Sequence, residues 1–147
     1  HSAGGIKFGS VEVAEVRFPL YFRRHELRPD SGGAGQFRGG AGCELELKLE
    51  TTTAGVANTA GDGARHGACG LLGGDDGVPH RYELHSEGRA TKTLPTKGEG
   101  IALQAGDLFV VRSGGGGGWG DPLARDPASI QSDMENGVIT TSGIEEQ

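Results

Sequence analysis

The amino-acid sequence predicts a mainly β domain, an antiparallel sandwich or partly open barrel with glycine-rich loops and one short C-terminal helix. Three observations carry this expectation. Glycine supplies 29 of the 147 residues, far above a usual share of roughly 7 per cent, and such a chain is rich in turns and poor in long helices. Cys43 to Glu50 alternate strictly between apolar and charged side chains, the period-2 signature of a half-buried strand. The other apolar runs are short and separated by glycine. The glycines have no three-residue period and proline is only 6, so collagen is excluded, and the clean alternation excludes a wholly disordered chain.

In chain order, Val11 and Val13 share one parity while Val16, Phe18, Leu20 and Phe22 share the other. This predicts two short strands, or one strand with a bulge near Ala14. The loop from Arg28 to Gly42 leads into the Cys43 strand. Arg81 to His85 predicts another strand, and the turn Ala105-Gly106-Asp107 introduces Leu108 to Val111, apolar on both parities and therefore expected to be buried on both faces. One helix has both a start and a stop: Asp126 caps, Pro127 suits the first turn, Ile130 and Met134 lie one turn apart, and Asn136-Gly137 ends it. Ser142 and Glu145 have capping-box spacing, but Gln147 ends the sequence before a full turn can be buried.

The length fits a single β domain over residues 1–147. Apolar residues reach only 34 % and aromatics 5 %, so the core is lean and is expected to be completed by a partner. Fourteen basic against 20 acidic residues give a net charge of −6, which excludes a nucleic-acid surface of clustered Lys and Arg. No membrane-length apolar run and no N-terminal signal pattern is present, so the expected location is cytoplasmic. The two cysteines, Cys43 and Cys69, are expected as reduced thiols.

Three glycine-rich clusters stand out. In the first, Asp30 and Ser31 satisfy nearby backbone N–H groups, and Arg28 and Arg38 give either the charge of an anion nest or, for Arg38, a partner for a carboxylate. A packing role is preferred. In the second, Gly114 to Gly118 precede Trp119-Gly120-Asp121-Pro122. No Lys-Ser or Lys-Thr follows, so the phosphate-loop pattern is unmet and close packing with Trp119 as anchor is preferred. In the third, His66 and Cys69 lie three apart, with His80 and His85 further on. They are candidate zinc ligands, set against a plain loop histidine and a small buried thiol. Ser31, His66 and Asp62 are the right types for nucleophile, base and orienter, but nothing in sequence joins them, so no complete catalytic set is expected.

The succession Asp30-Ser31-Gly32-Gly33-Ala34-Gly35, Phe37-Arg38-Gly39-Gly40, Gly70-Leu71-Leu72-Gly73-Gly74, Ala105-Gly106-Asp107, Gly114–Gly118 with Gly120-Asp121-Pro122, Arg125-Asp126-Pro127, and Asp133 with Gly137 resembles the C-terminal part of the hydantoinase B family. That family also covers 5-oxoprolinases and the large subunits of acetone and acetophenone carboxylases. It usually has Tyr where Trp119 stands. The resemblance implies several hundred preceding residues that carry the catalytic and metal-binding elements, so catalysis should need another chain. The size resembles the small, gamma-type subunit of acetophenone carboxylase. This implies an ATP-dependent, biotin-independent carboxylation of acetophenone by a hetero-oligomer, with larger hydantoinase A-like and B-like subunits as partners and ATP with a divalent metal, Mg or Mn, in the complex. The alternatives are a hydantoinase- or oxoprolinase-type amidohydrolase subunit and a stand-alone binding module. Asp30, Arg38, Trp119 and Asp121 are the structural and interface candidates.

Overall fold

The computed structural model describes residues 9–145. The elements in chain order are α1 (Val11–Arg17), β1 (Leu20–Arg28), β2 (Gly42–Leu49), β3 (Gly55–Ala60), β4 (Arg81–His85), β5 (Lys92–Leu94), β6 (Lys97–Leu103), β7 (Leu108–Arg112), a 3₁₀ turn (Pro122–Ala124), α2 (Pro127–Glu135) and α3 (Thr141–Glu145). The fold is mainly antiparallel sheet with a short helix near the C-terminus, and the strands do not close into a barrel.

Five strands form one antiparallel sheet in the order β1-β2-β7-β4-β5, and β3 pairs with β6 in a second, two-stranded sheet. The strands expected at Cys43–Glu50, Arg81–His85 and Leu108–Val111 appear as β2, β4 and β7. β7 occupies the middle of the large sheet, flanked by β2 and β4, and Val110 is 1 % exposed while its neighbours are half-buried.

The register explains how the alternation is used. Leu47, Phe109 and Leu84 lie opposite one another across β2, β7 and β4. Leu49, Leu84, Leu94 and Leu103 are buried together, with Leu20, Ala57, Tyr82, Ile101 and Phe109 packed around them. The β3–β6 sheet thus covers part of the large sheet's apolar face. The opposite face carries charge. Arg112 donates to Glu44 at 3.0 Å and to Glu83 at 2.6 Å, while Arg24 reaches Glu44 and Arg81 reaches Glu83. Burial pushes the Glu83 carboxyl up, but His85 and the Arg112 guanidinium outweigh it and hold Glu83 below its ordinary value.

The N-terminal expectation is corrected. Residues 11–17 form a helix: Ser10 caps it by accepting from the Val13 N–H, and Val11, Ala14 and Glu15 turn inward at helical spacing. The Glu15 carboxylate then accepts from the Phe22 N–H at 2.7 Å, which ties α1 to the strand that follows. The irregularity sought near Ala14 lies instead between Phe22 and Arg24, inside β1. The C-terminal helix is as expected, with Asp126 accepting from the Ala128 N–H, Pro127 in the first turn and Gly137 at φ +66° past its end. Ser142 lies within α3 rather than before it, and Gln147 falls outside the described residues.

Candidate functional site

The three glycine-rich clusters, distant in sequence, come together as one body. The segments 31–40, 68–78 and 114–120 run beside one another and bond through their backbones. Gly33 N donates to Gly116 O at 2.9 Å and Gly116 N to Gly40 O at 2.8 Å. On the other side Gly118 N donates to Asp75 O at 2.8 Å, and Asp75 N to Ala34 O at 2.8 Å. The approach is close enough to require glycine. A methyl group at Gly118 would fall 1.8 Å from the Ala34 carbonyl oxygen, and one at Gly115 would fall 1.8 Å from that of Ser31. Ser31 is 1 % exposed; its hydroxyl donates to Arg28 O and accepts from Gly42 N. Backbone groups that would be costly to bury unpaired are therefore paired within the glycine body.

Two clasps tie this body to the C-terminal region. Asp30, at φ +54°, accepts from the Thr140 backbone N–H at 2.8 Å and from its hydroxyl at 2.7 Å. Its partner lies 110 residues away, not in the adjacent turn. Arg38 forks onto Asp133 of α2, with Nε to Oδ2 at 2.8 Å and an Nη to Oδ1 at 3.2 Å, and Arg125 donates to the same carboxylate. These hydrogen bonds, led by that of Arg38, hold Asp133 below the usual carboxylate range despite partial burial. The carboxylate paired with Arg38 thus belongs to its own chain.

At the outer edge, Trp119 forms isolated bridges with Phe37 and Leu71. The Phe37 and Trp119 rings meet at 5.5 Å, tilted by 52°. Trp119 is not buried within this chain: it remains 43 % exposed, with Phe37 at 63 %, Leu71 at 62 % and Leu72 at 74 %. Leu72 is held at φ +54°, a conformation that a branched side chain rarely adopts. The body therefore presents a row of large apolar side chains to the outside. Asp121 caps the 3₁₀ turn beside this row by accepting from the Leu123 N–H at 2.9 Å.

The structure brings the candidate zinc pair no third ligand among the described residues. His66 and Cys69 are exposed, and among the described residues no three side chains capable of holding a metal converge. Cys43 and Cys69 are free thiols. Ser31, His66 and Asp62 are not joined by any hydrogen bond given by the described residues: Ser31 is committed to backbone, and Asp62 pairs with Lys97 at 3.0 Å. No described helix is long and apolar enough to cross a membrane. Sequence reasoning missed Arg125, Asp133 and Thr140 as clasp residues, although Arg125 and Asp133 stood among the motif residues.

The fold is thus an antiparallel β domain whose long loops are packed backbone on backbone and clasped to a short helix by a shared carboxylate. The chain belongs to the Hydantoinase B/oxoprolinase family, whose pattern matches residues 1–122. It is 31 % identical to caprolactamase subunit beta of Pseudomonas jessenii over 95 % of this chain and 24 % of that protein. The crystal structure of ATP-dependent caprolactamase from the same organism superposes with a TM-score of 0.76 at 30 % identity, covering 92 % of this chain and 24 % of the matched chain. A nucleotide-free acetone carboxylase shares the fold, with a TM-score of 0.69 at 20 % identity over 92 % of this chain and 22 % of that one. The chain thus spans about a quarter of the length of these relatives.

Proposed function

We propose that this chain is a non-catalytic assembly unit of a multisubunit, ATP-dependent enzyme of the hydantoinase B type, docked on larger hydantoinase A-like and B-like chains. The observation that carries this reading is the exposed row Phe37, Trp119 and Leu71 on a rigid glycine body. It is supported by a core in which only Ala34, Leu49, Leu84, Leu94, Leu103, Val110 and Ile139 are buried apolar side chains among the described residues. Such a surface is what an interface anchor offers. ATP and its divalent metal, Mg or Mn, would be held by the larger chains.

For the reaction, we infer an acetophenone-type ketone carboxylase working in the cytoplasm, a reading supported by the motif succession from Asp30 to Gly137. A second reading, ATP-dependent opening of a cyclic amide, is favoured by the 31 % identity to the caprolactamase subunit. Affinity purification of the tagged protein from its native host should bring down larger chains that hydrolyse ATP; recovery of the tagged protein with no other chain would refute the assembly role. ATP turnover by that complex that requires both bicarbonate and acetophenone assigns the carboxylase, whereas turnover with lactam or hydantoin and no bicarbonate assigns the amidohydrolase. Trp119→Ala should cost about 2 kcal/mol or more of association free energy, as a central anchor does. Binding and activity are then lost together, and an assembly that survives the substitution would place the interface elsewhere.

A further inference from the structure

A cavity of about 320 Å³ opens where the end of β1, the start of β4 and β5 meet. Arg28, His80, Arg81, Thr93 and Thr96 provide its polar lining together with Tyr82, and among the described residues no carboxylate lines it. That composition is unusual on a chain of net charge −6, and it differs from the neighbouring sheet face, where Arg24 and Arg112 meet glutamates. Of the two lining arginines, Arg81 pairs through Nε with Glu83 at 2.7 Å, and Arg28 has no carboxylate partner among the described residues.

Arg28 is the centre of the asymmetry. One guanidinium nitrogen is tied to two carbonyl oxygens, Pro79 O at 3.1 Å and Ser113 O at 3.3 Å. These bonds orient the group but bring no negative charge. Burial and then the nearby Arg112 lower its affinity for its proton, more than the attraction of Glu44 restores it, and Glu44 already serves Arg112 and Arg24. Arg81 donates to the Thr93 hydroxyl at 3.1 Å on the same wall. His80 packs against Tyr82 at 5.1 Å, and its Nε2 is buried with no hydrogen-bond partner among the described residues. Buried polar groups are normally satisfied, so this wall holds, in Arg28, a positive charge met only by carbonyl oxygens and, in His80, a hydrogen-bonding atom that the fold does not use.

We infer that this cavity binds the oxyanion group of a small molecule, a phosphate or a carboxylate, with Arg28 and Arg81 as its charged donors and the threonine hydroxyls completing its shell. A guanidinium fork held by backbone carbonyls is preoriented for such a group, and the volume admits the anion together with a small organic body against Tyr82 and Leu94. The inference does not depend on the assembly role.

The test is calorimetric titration of the purified protein, in whatever complex it is recovered, with inorganic phosphate and separately with acetate, at constant ionic strength maintained with chloride. Saturable binding of either anion in the millimolar range or tighter is expected, and the anion that saturates identifies the chemistry. Arg81→Ala should weaken it at least about tenfold, the scale of one charge-assisted hydrogen bond. Arg28→Lys, which keeps the charge and loses the fork, should weaken it in the same direction without unfolding the chain. Arg24→Ala, on the same strand but outside the lining, should leave it unchanged. Absence of saturation with both anions overturns the inference, as does equal loss in the Arg24 variant. If Arg81→Ala instead detaches a larger chain while neither anion binds, the cavity seats a partner's acidic side chain and the inference is wrong.

Discussion

The sheet and the glycine body fill their interiors by opposite means. Between the sheets, leucines from four strands do the work: Leu49, Leu84, Leu94 and Leu103 exclude water from a small apolar centre, and the backbone pairs are spaced by ordinary strand geometry. In the glycine body only small side chains, Ser31 and Ala34, are buried between the segments, and carbonyl oxygens sit where a methyl group on many of the glycines would have to be. The first region can relax around a smaller residue, because neighbouring side chains can shift. The second has no slack, since what would have to shift is hydrogen-bonded backbone. Tolerance to substitution should therefore be inverted between the two: the leucines tolerate change of size better than the glycines tolerate one carbon.

The largest expected effect sharpens that contrast. Gly118→Ala places a methyl 1.8 Å from Ala34 O and should cost about 4 kcal/mol or more, beyond most single substitutions. Gly40→Ala, where nothing lies within 4 Å of the added carbon, should change stability by less than about 0.5 kcal/mol. Urea midpoints for the two variants decide the matter; equal midpoints would mean that the close approach is not a constraint. Leu49→Ala comes next, at about 2 to 5 kcal/mol, the range for a buried leucine whose surroundings close in partly. A loss as large as that of Gly118→Ala would erase the difference between the regions.

Smaller, and dependent on pH, is the clasp between them. Asp133→Asn leaves Arg38 and Arg125 facing an uncharged amide and should cost about 1 to 3 kcal/mol at neutral pH. The Asp133 carboxyl is held below its ordinary value in the folded chain. Its contribution is therefore present above the ordinary carboxylate pKa of about 4 and is lost as pH falls through the lowered value. Glu83, also lowered, acts in the same sense. Denaturation at pH 7 and pH 3 should show a smaller pH-dependent loss in Asp133→Asn than in the parent chain; an unchanged loss would assign the acid sensitivity to the sheet's carboxylates alone.

These regions also differ in how far they were legible from sequence. β2 is visible in Cys43 to Glu50 because one face of it is apolar and the other charged, and α2 because Asp126, Pro127 and Gly137 mark its ends. α1 is hidden because Val11 and Val13 on one parity and Val16 and Phe18 on the other mimic strand alternation with one slip, while the informative spacing is Val11, Ala14 and Glu15 after the cap Ser10. β3 and β6 escaped notice because Gly55, Gly98 and Gly100 interrupt them and their small side chains carry little pattern. The mutual packing of the glycine loops is illegible for a physical reason: backbone-to-backbone contact leaves no side-chain period. Arg38 was seen to want a carboxylate, but a partner 95 residues away is chosen by topology and not by spacing.

The central position of β7 has a consequence for how the chain is made. β2 and β4 are not neighbours until Leu108–Arg112 slots between them, and the glycine body likewise waits for residues 114–120. During vectorial synthesis, β2 and β4 leave the ribosome before Leu108–Arg112, with their inner edges unpaired and much of the apolar face uncovered. Sheet closure is a late event that depends on contacts distant in sequence, so folding is slow and the nascent chain is open to edge-to-edge association. Truncation before residue 108 would leave two separated half-sheets with exposed edges, and the folding machinery of the cell would meet this region as an open client until residues 108–120 have emerged.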